Sequence, residues 1–374
     1  MAHSVVRGTG PAADRARAVQ RFGERWLRDP AGPGGGGSFV CSPAGLWLAL
    51  ASVAAGARGE SARELRAALG TAGREAADAV TAGARELAGT DALGVATRVW
   101  SRAPLHREYR EALPDVGFGP MEDAEEIDAW VREATGGLIG RLPLSLDDSM
   151  LLVLVNVLAL KARWEDPFDR ERTRDRPFTD AAGTCREVPT MHGDPAPWDV
   201  WMAGGTFVVE LRCRTGRAGS APARVRLVLG RPGEGAADVL TAAWAPAEAR
   251  TRLDADAVSI AVPRFTLRTN IQVTDHLPGL GIRLSTTAAA DFSGLSPVPL
   301  MISQVVQEAV VKVAEEGVEA AAVTVLAAPA GAAPPPPRRV LHLAFDRPFG
   351  IVVLDGAGEL PLFAGWQADI PAGG

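Results

Sequence analysis

Residues 149–168 read SMLLVLVNVLALKARWEDPF. The stretch from Met150 to Leu160 is too dense in Leu and Val to alternate apolar and polar positions. Such a run is expected for a β-strand covered on both faces. A sheet built around such a strand needs a layer on each side, which calls for helices as well as strands.

The rest of the chain supplies both. ADRARAVQRFGERWLRDP places Val19, Phe22 and Trp26 at helical spacing, with Pro30 ending the element. FVCSPAGLWLALASVAAGA predicts a buried helix with Ser42 as N-cap and Pro43 in the first turn. SARELRAALG predicts a second helix closed by Gly70, and AEEIDAWVREATGGLIGRL a further one ending at Gly136 and Gly137. LGVATRVWS predicts a strand. From Thr206 onward strand-like segments dominate, interrupted by one predicted helix over IQVTDHLPGLGI, residues 271–282. Helices first and sheets later, without regular βαβ alternation, indicate an α+β fold. No repeat or linker divides the chain, so residues 1–374 are expected to form a single domain.

Composition narrows the function classes. A 47% hydrophobic content allows a sizeable core and excludes a disordered or fibrous chain. The net charge of −6 argues against nucleic-acid binding. Lys161 and Lys312 are the only lysines among the basic residues, which reads as compositional bias. Cys41, Cys185 and Cys213 form no CxxC, so neither a disulfide framework nor a zinc site is suggested. No run approaches membrane-spanning length and no leader-like segment opens the sequence. A cytoplasmic monomer without cofactor is the default expectation, with export of a mature form left open.

Chemical motifs are sparse. His3, His106, His192, His276 and His342 are scattered and show no metal-ligand spacing. No GxSxG elbow supports a Ser/His/Asp triad, and a hydrolase is the weakest reading. AGPGGGGS (31–38) lacks the GK[ST] of a phosphate loop and reads as surface loop. Cys41 reads as a small buried hydrophobe rather than a nucleophile.

One segment is left unexplained by these elements: KVAEEGVEAAAVTVLAAPAGAAPPPPRRV, residues 312–340. Small, β-capable side chains continue with almost no large one among them. Such a strand fits between covered neighbours without repacking them. Gly317 offers a pivot, and the prolines at 334–337 favour an extended, unpaired conformation. The segment therefore has two places to live, looped out or inserted as a strand; a permanently exposed Ala-rich linker is the bland alternative.

These residues resemble the hinge and reactive-centre loop of the serpins, the serine protease inhibitor family. FVCSPAGLWLALASVAAGARGESARELRAALG, LVNVLALKARWEDPFDRERTRDRPFTD with VPTMHG, VSIAVPRFTLRTNIQVTDHLPGLGIRLSTTAAADFSGLS and FDRPFGIVVLDGAGELPLFAGWQ resemble further family blocks. They run in family order from Phe39 to Gln367. The resemblance implies three β-sheets, eight or nine helices, a loop over about residues 315–340, and membership on the bacterial side of the family. It implies a suicide-substrate inhibitor: a serine protease cuts the loop, is held as an acyl-enzyme, and is trapped as the loop inserts into the main sheet. A non-inhibitory member whose loop is a plain substrate is the runner-up.

Residue by residue, Glu315, Glu316 and Gly317 match the hinge. Val318 stands where inhibitory members usually carry threonine, and Glu319, Ala320, Ala321, Ala322, Val323 and Thr324 keep the small-residue pattern. Ser42 and Asn156 match polar residues under the parting strands. Gly45 replaces a second serine and Gln307 a histidine, so that position cannot charge. Trp164 matches the tryptophan at the top of the sheet. Counting forward from Gly317 puts the reactive bond at Gly331–Ala332, suited to an elastase- or subtilisin-like enzyme. Counting back from FDRPF points instead to Arg338 or Arg339 and a trypsin-like enzyme. The forward count is preferred, because a longer insert would carry prolines into a central strand.

Overall fold

The computed structural model describes residues 10–372, apart from 35, 92, 138, 143–145, 148–149, 161, 217–219 and 319–338. The helices among these are α1 (Pro11–Arg28), α2 (Pro43–Ala54), α3 (Gly59–Leu69), α4 (Arg74–Ala88), α5 (Arg107–Glu111), α6 (Ala124–Ala134) and α7 (Ala236–Leu240), joined by six 3-10 turns. Every residue of α2 is buried, which explains a helix that is apolar on all sides. Its start is set by Ser42, whose hydroxyl accepts the Gly45 N–H at 3.0 Å, and by Pro43 at the first helical position. Gly70 closes α3 in the left-handed conformation, φ 82°.

The Leu/Val run forms the strand Leu152–Leu160 of a seven-stranded main sheet. It pairs antiparallel with Leu93–Ser101 and parallel with the long strand Gln304–Ala314. Phe265–Gln272 covers the other edge of Gln304–Ala314 in antiparallel register. Leu152 and Leu154 join the large core that contains α2. Val153, Val155 and Val157 belong to a second cluster with Ile127 and Val131 of α6. Both faces of the strand are thus covered, as a run so rich in Leu and Val requires.

A second seven-stranded sheet runs from Phe39–Cys41 through Pro361–Gln367, Phe349–Leu354, Arg224–Leu229, Thr206–Arg212 and Val200–Ala203 to Arg250–Arg252. A third, four-stranded sheet holds Val340–Ala344, Ala257–Pro263, Cys185–Gly193 and Arg174–Thr179. A two-stranded pairing, Ala221–Pro222 with Thr90–Asp91, adds to these three sheets.

One local expectation is corrected. Residues 271–282 do not form a helix: the preceding strand runs to Gln272, and only a 3-10 turn, Val273–His276, follows. Pro278 and Gly281, the latter at φ 83°, stop helical propagation there. The helix α4 has no strong apolar stripe in sequence. It buries Ala76, Ala77, Val80, Gly83 and Leu87, and Gly83 lies so close to Leu48 that a Cβ would sit 3.0 Å from its Cδ2.

Candidate functional site

The strands Leu152–Leu160 and Gln304–Ala314 pair directly from Val153 with Gln304 up to Ala159 with Val310. Beyond that point they fork. The two-residue strand Gly317–Val318 fills the fork and is paired on both sides. Val318 lies opposite Val313 and Ala162, and Gly317 opposite Ala314 and Arg163. Both partners are antiparallel, because the chain reverses at Glu315 and Glu316 immediately after the long strand.

Gly317 is required by space as well as by conformation. Its φ is 156°, and a Cβ would lie 2.0 Å from the Ala162 carbonyl oxygen and 2.8 Å from Arg163 Cα. Any side chain would push the hinge out of the fork. Val318 is fully buried at 0% exposure, so this β-branched, uncharged residue fits the slot. Gly317, expected as a flexible pivot, is a point of close backbone approach.

The reversal is held by side chains from three separate regions. Trp164 donates its indole N–H to the Ala314 carbonyl at 2.9 Å, and its backbone N–H to the Glu316 carbonyl at 2.9 Å. The Phe168 N–H donates to the Glu315 carbonyl at 2.8 Å. The Glu315 carboxylate, 3% exposed, accepts from Arg264 Nε at 2.7 Å and Thr173 Oγ1 at 2.7 Å. Burial pushes that carboxyl up, but the hydrogen bonds from Arg264 and Thr173 outweigh it and hold the group below its usual range. Arg170 pairs with the Glu316 carboxylate at 2.6 Å. Arg170, Thr173 and Arg264 were not found by sequence reasoning. Thr173 stands 142 residues from Glu315 and Arg264 stands 51, and only the fold joins them.

Below the fork a polar clip crosses the seam. Gln307 accepts the Ser42 N–H at 2.7 Å and donates through Nε2 to the Ser42 carbonyl at 2.9 Å and to Asn156 Oδ1 at 3.4 Å. Asn156 in turn donates to Thr97 Oγ1 at 2.9 Å. Ser42, Asn156 and Gln307 are all buried, and Gln307 faces Asn156 directly in the strand register. One amide therefore ties the two parting strands to the N-terminus of α2. Sequence reasoning picked all three residues; Thr97, the fourth member, it missed.

At the far end of the loop, Arg339 is anchored. Its N–H donates to the Asp256 carboxylate at 2.9 Å, its carbonyl accepts the Asp256 N–H at 2.9 Å, and its guanidinium pairs with Asp254. Val340–Ala344 then pairs in parallel with Ala257–Ala261. Glu319 to Thr324, Gly331, Ala332 and Arg338 lie outside the described residues. Among the described residues no group of His, Cys, Asp and Glu side chains is arranged to hold a metal ion.

Residues 17–370 match the family model described as Serpin (serine protease inhibitor). The chain belongs to the serpin family. Curated relatives of this serpin include the tick protein Iris of Ixodes ricinus, 28% identical over 90% of this chain and 93% of that protein. Another is the leukocyte elastase inhibitor of Bos taurus, 30% identical over 84% of this chain and 88% of that protein. Among solved structures, the native-state thermophilic serpin Tengpin superposes with a TM-score of 0.82 at 19% identity, covering 99% of this chain and 96% of that one. Serpin48 of the insect Tenebrio molitor gives 0.79 at 24% identity, covering 97% and 100%. These likenesses show the serpin fold. The bacterial membership expected from the sequence is not borne out by relatives that come from a tick and cattle.

Proposed function

We propose that this serpin inhibits a serine protease as a suicide substrate, by inserting its cut loop into the main sheet. The observation that carries the reading is the two-sided pairing of Gly317–Val318, which puts the first residues of the loop into the fork of the sheet. The protease serine attacks the carbonyl at the reactive bond, forms an ester to the loop and releases the amine of the following residue. Before cleavage the loop is tied at both ends, by the fork and by Arg339. Afterwards the hinge side is free to continue down the seam, and the attached protease goes with it before water can hydrolyse the ester.

The energetics favour this direction. Insertion replaces one parallel ladder by two antiparallel ones, which bind slightly better per residue. Carried on from Val318 opposite Val313, the inserted strand would bring Glu319 opposite Lys312 and Thr324 opposite Gln307. An opposite-charge pair and a hydroxyl beside the clip both suit those places.

We place the reactive bond at Gly331–Ala332 and the target among elastase- and subtilisin-like enzymes. The anchoring of Arg339 supports this, since its side chain is engaged by Asp254 and its backbone by Asp256. A bond beside it would lack the free, extended chain on both sides that proteases select.

The test is incubation with subtilisin, elastase and trypsin, followed by denaturing gels and mass spectrometry of the fragments. An SDS-stable complex with subtilisin or elastase, cut after Gly331, is expected. Clean nicking by every enzyme without a complex would instead make the chain a plain substrate.

A further inference from the structure

The strands Arg224–Leu229, Thr206–Arg212, Val200–Ala203 and Arg250–Arg252 of the second sheet border a groove of about 380 Å³. That volume is of small-ligand size. Four arginines line it, Arg212, Arg224, Arg250 and Arg252, against two carboxylates, Asp199 and Glu210. Both carboxylates are engaged: Asp199 pairs with Arg212 at 2.6 Å, and Glu210 with the buried Arg226 at 2.8 Å and Arg224 at 3.4 Å. Among the described residues, Arg250 donates to the Ala245 carbonyl at 3.0 Å and lies over the face of Trp201, 4.9 Å from the ring centroid. Arg252 is exposed and has no ion pair among the described residues. Burial presses the Arg250 guanidinium below its ordinary value, with Arg224 adding to the effect against the pull of Glu210.

Two indoles complete the groove. Trp201 is 7% exposed, and its buried indole N–H has no acceptor among the described residues. A buried donor without a partner is uncommon enough to need a reason. Trp198 is 73% exposed, the largest exposure of any big apolar side chain described here. An indole at the rim of a groove with surplus guanidinium charge offers a flat ring something to lie on.

We infer that this groove binds a small aromatic anion, its carboxylate or sulfonate held by Arg250 and Arg252 and its ring against Trp198. Guanidinium forks match paired oxyanion oxygens, whereas a bare inorganic anion would leave the indole unused.

Naphthalene-2-sulfonate, titrated calorimetrically into the intact protein, is the probe. The expected result is one saturable site. Trp198→Ala and Arg252→Gln, both at exposed positions that leave the fold intact, should each weaken it at least tenfold. Neutral 2-naphthalenemethanol and ring-free sulfate should bind at least tenfold more weakly than the sulfonate. Absence of saturable binding, equal affinity in both variants, or equal affinity for the neutral ring would overturn the assignment.

Discussion

The seam between Leu152–Leu160 and Gln304–Ala314 behaves differently at its two ends. At the fork, a two-residue piece of loop already stands between the strands, paired with Ala162 and Arg163 on one side and Val313 and Ala314 on the other. Lower down, the strands touch directly and Gln307 fastens them to each other and to α2. The upper end shows that a third strand fits this sheet. The lower end shows what must break before that strand can lengthen: a short parallel ladder and one amide clip. On the proposed mechanism, the barrier to insertion lies in the seam and its clip rather than in the fork.

The largest effect is expected from Val318→Arg. A guanidinium in that fully buried slot would lie unpaired, at a cost of several kcal/mol. The hinge should leave the fork, and SDS-stable complex with the target protease should fall at least tenfold in favour of simple cleavage. Unchanged complex formation would remove the fork from the mechanism.

Gly317→Ala comes next. The added Cβ meets the Ala162 carbonyl and the backbone is held at an angle alanine resists, a strain of about 1–3 kcal/mol. Thermal unfolding of the intact protein should begin a few degrees lower. An unaltered transition would mean that Gly317 does not sit where it is described.

Gln307→Leu sharpens the comparison from the other end. It leaves the Ser42 N–H and carbonyl without partners, costing about 1–3 kcal/mol. Intact protein should melt lower, while the cut form, whose seam is already open, should lose less. Equal losses in both forms would show that the clip does not guard the seam.

The smallest effect is a pH response at the reversal. Because Glu315 is held below its usual range, its contribution is complete above the ordinary carboxyl pKa of about 4.3 and fades as pH falls through the lowered native value. Unfolding scans across that acidic window should show the loss, and Glu315→Gln should flatten it. A variant with the same acid profile would assign the loss to other carboxylates.

Much of this arrangement was legible from the chain alone. The Leu- and Val-rich run at 151–160 demanded cover on both faces, and α2 and α6 provide it. Ser42 and Gly70 mark helix ends by local chemistry, which sequence carries directly. Glu315, Glu316, Gly317 and Val318, which the resemblance assigns to the hinge, lie at the reversal and in the fork. What stayed hidden depends on distance or on small side chains. Helix α4 buries Ala76, Ala77, Val80, Gly83 and Leu87 at helical spacing, but three of the five are alanine or glycine, so the apolar stripe is faint in the sequence. Arg264 and Thr173 reach Glu315 across long separations, and any of the many arginines looked equally suitable. Gln307 read as a replaced histidine, but its bond to Ser42 needed the strand and helix side by side.

One measurement addresses the central claim most directly: thermal unfolding before and after a single cut at the Gly331–Ala332 bond, with both halves still associated. If the loop continues from the fork into the seam, the cut form should melt at least about 10 °C higher, the equivalent of several kcal/mol. A cut form that melts at or below the intact one would contradict the account.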